Sequence, residues 1–219
     1  MKRYAFIPLI LVFVIYMIGY VYAGVSNVGM TMIYQLTRSK YYPSDGNSLS
    51  YTVEWYYASG YVGGVIKHFY AGYVREIPDA NNGNSDERWY VYRFGPKFTA
   101  PDILNLYDMD PVNPSGCVSS LSGGVSANVG VSPNGPSTTI GLSYSFTISP
   151  YKLSVNVPNT YPNARWIFET CSNQYGSAWK GETVIMYVTT SSSPLYITAK
   201  VGATYVKEVR QCIAWGYIF

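Results

Sequence analysis

Between residues 125 and 148 the chain alternates apolar and polar side chains with a period of two, and this pattern restricts it to β-structure. Val125, Ala127, Val129 and Val131 run into Ser132-Pro133-Asn134-Gly135-Pro136, and Ile140, Leu142, Tyr144, Phe146 and Ile148 run out. Ser126, Asn128, Thr139, Ser143, Ser145 and Thr147 take the intervening positions. Successive side chains of a strand point to opposite faces, so the segment is an antiparallel hairpin with one face on a core and a hydroxyl-rich face outward. Val28, Met30, Met32, Tyr34 and Leu36 repeat the period and predict a strand with one buried face.

Leu49–Tyr57 and Val65–Val74 flank Gly60, Gly63 and Gly64 and are rich in Tyr, Val and Trp, as strands are. Asp79–Glu87 turns polar around Asn82-Gly83 before Trp89–Phe94 alternates again, which reads as a long hairpin. Leu153, Val155 and Val157 continue the meander, followed by Trp166–Cys171, Thr183–Thr189, Leu195–Val201 and Tyr205–Val209. Only Pro101–Leu106, with Pro101 placed in a first turn and Pro111 and Pro114 beyond it, suits a short helix. About ten strands at turn spacings of about 8 to 15 residues predict an all-β fold, an antiparallel β-sandwich or jelly-roll-like single domain over residues 24–219.

Ahead of that domain, Lys2 and Arg3 precede an apolar run from Tyr4 to Val25 that closes on Val21-Tyr22-Ala23. A basic start, an apolar segment and small residues before a cut after Ala23 predict a secretory signal over residues 1–23. An apolar run above about 18 residues also spans a bilayer, so the alternative is a retained signal-anchor helix that meets the membrane through residues 4–25. Both place the domain outside the cytoplasmic membrane, extracellular or at the cell surface or envelope.

The chain holds 24 Tyr in 219 residues and only 12% charged residues, about half the usual fraction, so its polar surface is built from hydroxyls and amides. With 12 carboxylates available for protonation, such a surface suits acidic or variable surroundings. A net charge of +3 without a basic stripe argues against a nucleic-acid partner. Three cysteines in an oxidising compartment predict one bridge and one spare thiol. Cys171 and Cys212 lie in strand-like segments and Cys117 in a Gly/Ser-rich stretch, so Cys171–Cys212 is the favoured pair, with the other pairings open. No Asn-x-Ser/Thr sequon occurs.

Signals for chemistry are weak. His68 is the single histidine, and no Gly-x-Ser-x-Gly elbow accompanies it. The cysteines lack the close Cys-x2-Cys spacing of zinc sites. Asp102, Asp108 and Asp110 lack the Gly and distal Glu of a calcium loop and read as solvated turn carboxylates. Glu169 and Glu182 sit in neighbouring strand-like segments, and a β-sandwich glycosidase needs two carboxylates about 5 to 9 Å apart. Trp55, Tyr56, Tyr57, Trp89, Trp166 and Trp179 are aromatics that would line such a groove. No motif requires a metal or cofactor, and the expectation is a non-enzymatic protein.

The run Ile213–Phe219 is almost wholly apolar, with Trp215, Tyr217 and Phe219 at alternate positions. It is either a last strand buried in the domain or an exposed strand that adds to a neighbour's sheet edge, and Val28–Leu36 is the other candidate for such addition. Edge addition implies self-association into an oligomer or polymer. The leading expectation is therefore an exported structural subunit of an extracellular filament, envelope or virion surface. The alternatives are a secreted antimicrobial or toxin-like effector acting on membranes, and a carbohydrate-binding or glycosidase β-sandwich.

Overall fold

The computed structural model describes residues 25–83, 87–112, 116–156, 162–171, 178–192 and 196–209. The signal or anchor segment, Cys212, Trp215, Tyr217 and Phe219 lie outside them. Among the described residues the secondary structure is thirteen strands. The first four are β1 (Ser26–Val28), β2 (Thr31–Tyr42), β3 (Asn47–Val62) and β4 (Val65–Asp79). Next come β5 (Glu87–Phe94), β6 (Lys97–Thr99) and β7 (Asn105–Asp110), then the long pair β8 (Cys117–Gly130) and β9 (Ser137–Asn156). β10 (Ala164–Thr170), β11 (Gly181–Thr189), β12 (Thr198–Lys200) and β13 (Ala203–Val209) complete the chain. Every strand pairing is antiparallel. The strands join in one sheet in the order β12-β6-β10-β9-β8-β3-β4-β11-β7, with β1, β2, β5 and β13 attached along it. The all-β antiparallel expectation therefore holds.

The organising unit is the run β2-β3-β4-β11-β7. Its register places Val53 and Trp55 of β3, Val74 of β4, and Ile185 and Tyr187 of β11 on one face. That face meets the rings of the opposite strands: Trp55 lies 5.8 Å from Phe98 and Phe98 lies 5.5 Å from Trp166, both edge-on. The other face carries Tyr56, Ala58, Phe69, Ala71, Val184 and Met186 and is covered by the β8–β9 hairpin. There Gly60 passes so near Val129 that an added Cβ would lie 2.6 Å from that side chain. Two covered faces explain why Thr183, Val184, Ile185, Met186 and Tyr187 are all buried in succession, as strands covered on both sides are. The β3–β4 turn is a two-residue hairpin in which Gly63 and Gly64 have φ of 60° and 77°, conformations that glycine adopts at no steric cost.

Three local expectations are corrected. The helix at Pro101–Leu106 is a turn closed by the Leu104 N–H donating to Pro101 C=O at 3.0 Å, and it leads straight into β7. β4 and β5 do not form a hairpin: β4 pairs with β3 and β11, and β5 with β10 and β13. Val28–Leu36 is not one strand with one buried face. Gly29, at φ 65°, turns the chain between β1, which pairs with β9, and β2, which pairs with β3. The Asn27 side chain holds that turn, donating to Met30 C=O at 2.7 Å and accepting from Met30 N–H at 3.2 Å. Met30 is consequently buried, while Val28, Met32 and Tyr34 are exposed.

Candidate functional site

The β8–β9 hairpin has arms of 14 and 20 residues, and its turn is closed by Val131 N–H to Pro136 C=O and Gly135 N–H to Ser132 C=O, both 3.2 Å. Val125, Ala127, Val129, Ile140, Leu142 and Tyr144 are buried, whereas Ser126, Asn128, Thr139, Ser143 and Ser145 are exposed, so the predicted alternation is realised at these positions, while Val131 at the turn is exposed rather than on the core. Across the strands Thr139 Oγ1 donates to Asn128 Oδ1 at 3.0 Å. From Cys117 to Pro150 the sequence contains no Asp, Glu, Lys, Arg or His. That absence is plain in the sequence, and the alternation alone did not draw attention to it.

How the hairpin is fastened matters as much as its faces. Along the outer edge of β8 the backbone ladder to β3 consists of Tyr61 opposite Gly130 alone. Beyond that pair, Asp108 Oδ2 accepts from Ser126 N–H at 3.3 Å, and the Asp110 carboxylate accepts from the Tyr144 hydroxyl. Asp108 and Asp110 thus belong to β7 and clasp the hairpin; Asp102 stays in the exposed turn. Burial pushes the Asp110 carboxyl above its ordinary range, against the Tyr144 hydrogen bond and with Asp108 adding to the rise. At its open end the hairpin is tied covalently to the end of β10 through Cys117–Cys171. The expected Cys171–Cys212 pair is therefore corrected. β8 extends back through Gly and Ser to Cys117, which lies opposite Lys152 of β9, while Thr170 lies opposite Tyr151, so β9 brings both cysteines to one level of the sheet.

β2 is the second notable feature. It pairs with β3 on one side only, and all of its residues except Leu36 and Tyr42 are exposed. On one face of the β2–β3 pair, Tyr34, Leu36, Val53, Trp55, Tyr70 and Ile197 line an apolar cleft of about 740 Å³. On the other face a polar cleft of about 590 Å³ includes Gln35, Glu54, Tyr56, Tyr73 and Arg75. Glu54 accepts there from Gln35 Nε2 at 2.8 Å and from the Tyr56 hydroxyl at 2.7 Å, so both carboxylate oxygens are engaged. Burial and the bond to Glu54 push the Tyr56 hydroxyl well above its usual range.

The remaining sequence candidates are scattered. Glu169 lies on β10 opposite Arg93 and Lys152, and Glu182 lies on β11 opposite Arg75, on strands that are not neighbours. Glu182 is buried and pairs with Lys180 Nζ at 2.6 Å. His68 is half-buried and hydrogen-bonds through Nδ1 to the Tyr57 hydroxyl at 2.8 Å, with the rings stacked. Trp166 and Trp179 are fully buried, while Trp55 lines the apolar cleft. Among the described residues no group of three or more His, Cys, Asp or Glu is placed to hold a metal ion. Among them, too, no helix is long and apolar enough to cross a membrane, a statement that does not bear on crossing by strands.

No protein-family model matches the chain, and no curated protein matches it. Among solved structures, one described as a pore forming protein aligns with a TM-score of 0.42 and 9% identity, over 81% of this chain and 94% of that one.

Proposed function

We propose that the protein is an exported effector that acts on membranes, in which β8–β9 hairpins from several copies combine into a transmembrane β-barrel. The observation that carries this reading is the alternating hairpin, uncharged from Cys117 to Pro150. A strand needs about 9–11 residues to cross the hydrocarbon at a tilt, and both arms exceed that. Transmembrane barrels alternate apolar side chains toward lipid with polar ones toward the lumen, and a charge on the lipid face costs about 2–4 kcal/mol at mid-bilayer. Exposing a large buried apolar side chain to water costs about 1.5–3 kcal/mol, but lipid offers the same face an equally apolar partner. The hairpin leaves the domain by parting the single pair to β3, the Asp108 and Asp110 clasp and the three-residue β1–β9 ladder, while β10 and Cys117–Cys171 hold its base. Membrane barrels start at about eight strands, so about four hairpins are the minimum, and self-association is built into the mechanism.

The test is a staple. A Cβ built on Gly130 would lie 3.5 Å from Tyr61 Cβ, within the separation a disulfide accepts. Tyr61→Cys/Gly130→Cys in a Cys212→Ser background, when oxidised, is expected to release less than about a tenth of the vesicle-entrapped dye that the parent releases, with recovery on reduction. Reduced parent protein controls for loss of Cys117–Cys171. Equal release from the oxidised staple removes the hairpin from the mechanism.

The open edge of β2 favours a second reading, a structural subunit that assembles without lipid. An exposed strand edge carrying Met32, Ile33, Tyr34 and Tyr41 is a template for a further strand, and the alternating Trp215, Tyr217 and Phe219 supply a candidate donor. Ordered polymers sedimenting from lipid-free solution, and lost on truncation after Val209, are its expected signature.

A further inference from the structure

We propose that the recess bounded by β5, β6, β10, β12 and the start of β13 binds a phosphate oxyanion, the group that a phosphomonoester lipid headgroup presents. Its source as lipid rests on the membrane reading; the site itself does not. Arg93, Lys97, Arg165 and Lys200 line this recess of about 400 Å³, and no Asp or Glu is among the residues lining it. In a chain with only 15 Lys and Arg in all, four at one recess is a marked concentration. Sequence distance hides it: Arg93 and Lys97 are near neighbours on consecutive strands, and only the strand register brings Arg165 and Lys200 to them.

Lys97 lies directly opposite Arg165 on one side and Lys200 on the other. Directly opposed residues share a sheet face, and like charges in that relation are destabilising unless something answers them. Glu169, opposite Arg93, is the acid that the register brings nearest, and none of the four cations has a salt bridge among the described residues. All four are exposed, so their ends are available to solvent. Arg93 also lies 5.8 Å over the ring of Tyr92. Guanidinium groups recognise phosphate oxygens in a bidentate fork while ammonium groups act as point charges, so two of each around one recess suit a multiply charged oxyanion.

The experiment compares flotation with phosphatidylcholine vesicles, with and without phosphatidic acid, for the wild type and Lys97→Glu/Lys200→Glu. Arg38→Glu/Lys40→Glu, which makes the same change in net charge on β2, is the control. Wild type and control are expected to float with the acidic vesicles, and the recess variant to lose about tenfold or more in affinity. A second arm measures thermal unfolding in inorganic phosphate. Stabilisation of wild type and control but not of the recess variant, with equal flotation, keeps the site and assigns it to the free anion. Equal losses in both double variants, or no phosphate effect in either arm, overturn the proposal. If leakage is absent while the recess variant still loses binding, the membrane-insertion reading fails and the oxyanion site stands.

Discussion

Glu76 is a carboxyl group with 1% exposure in the interior, where one oxygen accepts from Gly202 N–H at 3.0 Å and the other meets no donor among the described residues. Burial, opposed by that one bond, pushes its pKa up to about 8. A carboxyl whose folded pKa lies above its unfolded one contributes stability that is complete below the unfolded value of 4.5 and is lost as pH rises through the folded value. Burial also raises Glu182 and Asp110, so all three act in the same direction. The melting temperature is therefore expected to fall by several degrees between about pH 5 and pH 9, and Glu76→Gln to flatten that slope. A slope of opposite sign, or one unchanged in the variant, contradicts the assignment. The sparse carboxylates suggested tolerance of acid from composition alone, but composition could not show that Glu76 and Glu182 are buried and Asp110 half-buried. Gly72 illustrates a second residue-scale constraint. A Cβ there would lie 2.6 Å from the Trp55 ring, so Gly72→Ala is expected to cost about 1–3 kcal/mol in urea denaturation through overpacking.

At the scale of elements, the Cys117–Cys171 bridge closes a separation of 54 residues. Removing a crosslink of that span frees loop entropy worth about 4 kcal/mol in the unfolded chain. Cys117→Ala is expected to lower unfolding stability on that scale and Cys212→Ser to leave it unchanged; the reverse pattern would restore the Cys171–Cys212 pairing. The β8–β9 hairpin was legible because its partners are adjacent in sequence, its alternation is strict and its turn residues are distinctive. β5 was legible as a strand but not in its pairing, because its ladder partner Tyr205 stands opposite Val91 across more than half of the chain. β7 was hidden by Pro101 and Asp102, which look like a helix start and in fact form the turn before the strand. The break between β1 and β2 was hidden because Val28 and Met30 keep a strand's period while Gly29 bends the path from β9 to β3.

For the whole molecule, a central sheet covered on both faces explains why its strands read as continuous apolar runs, and why a sandwich was expected where one sheet wraps over itself. The features on which the proposed function rests depend on that wrapping: a hairpin that meets β3 through one backbone pair, an open edge at β2, and cations gathered from four strands. The absence of charge in the hairpin was readable in the sequence, whereas the basic recess exists only through the register of short strands. The most direct measurement is an environment-sensitive fluorophore on single cysteines substituted at Leu121, Ser126, Asn128 and Val131, in a Cys212→Ser background, read before and after addition of vesicles. Leu121 of β8 and the exposed Val131 at its turn hold odd-numbered positions in step with the apolar alternation, and Ser126 and Asn128 lie on the hydroxyl side. Insertion as a barrel predicts that the probes at 121 and 131 move into an apolar environment while those at 126 and 128 remain in water. No change at any position, or the same change at all four, would contradict it.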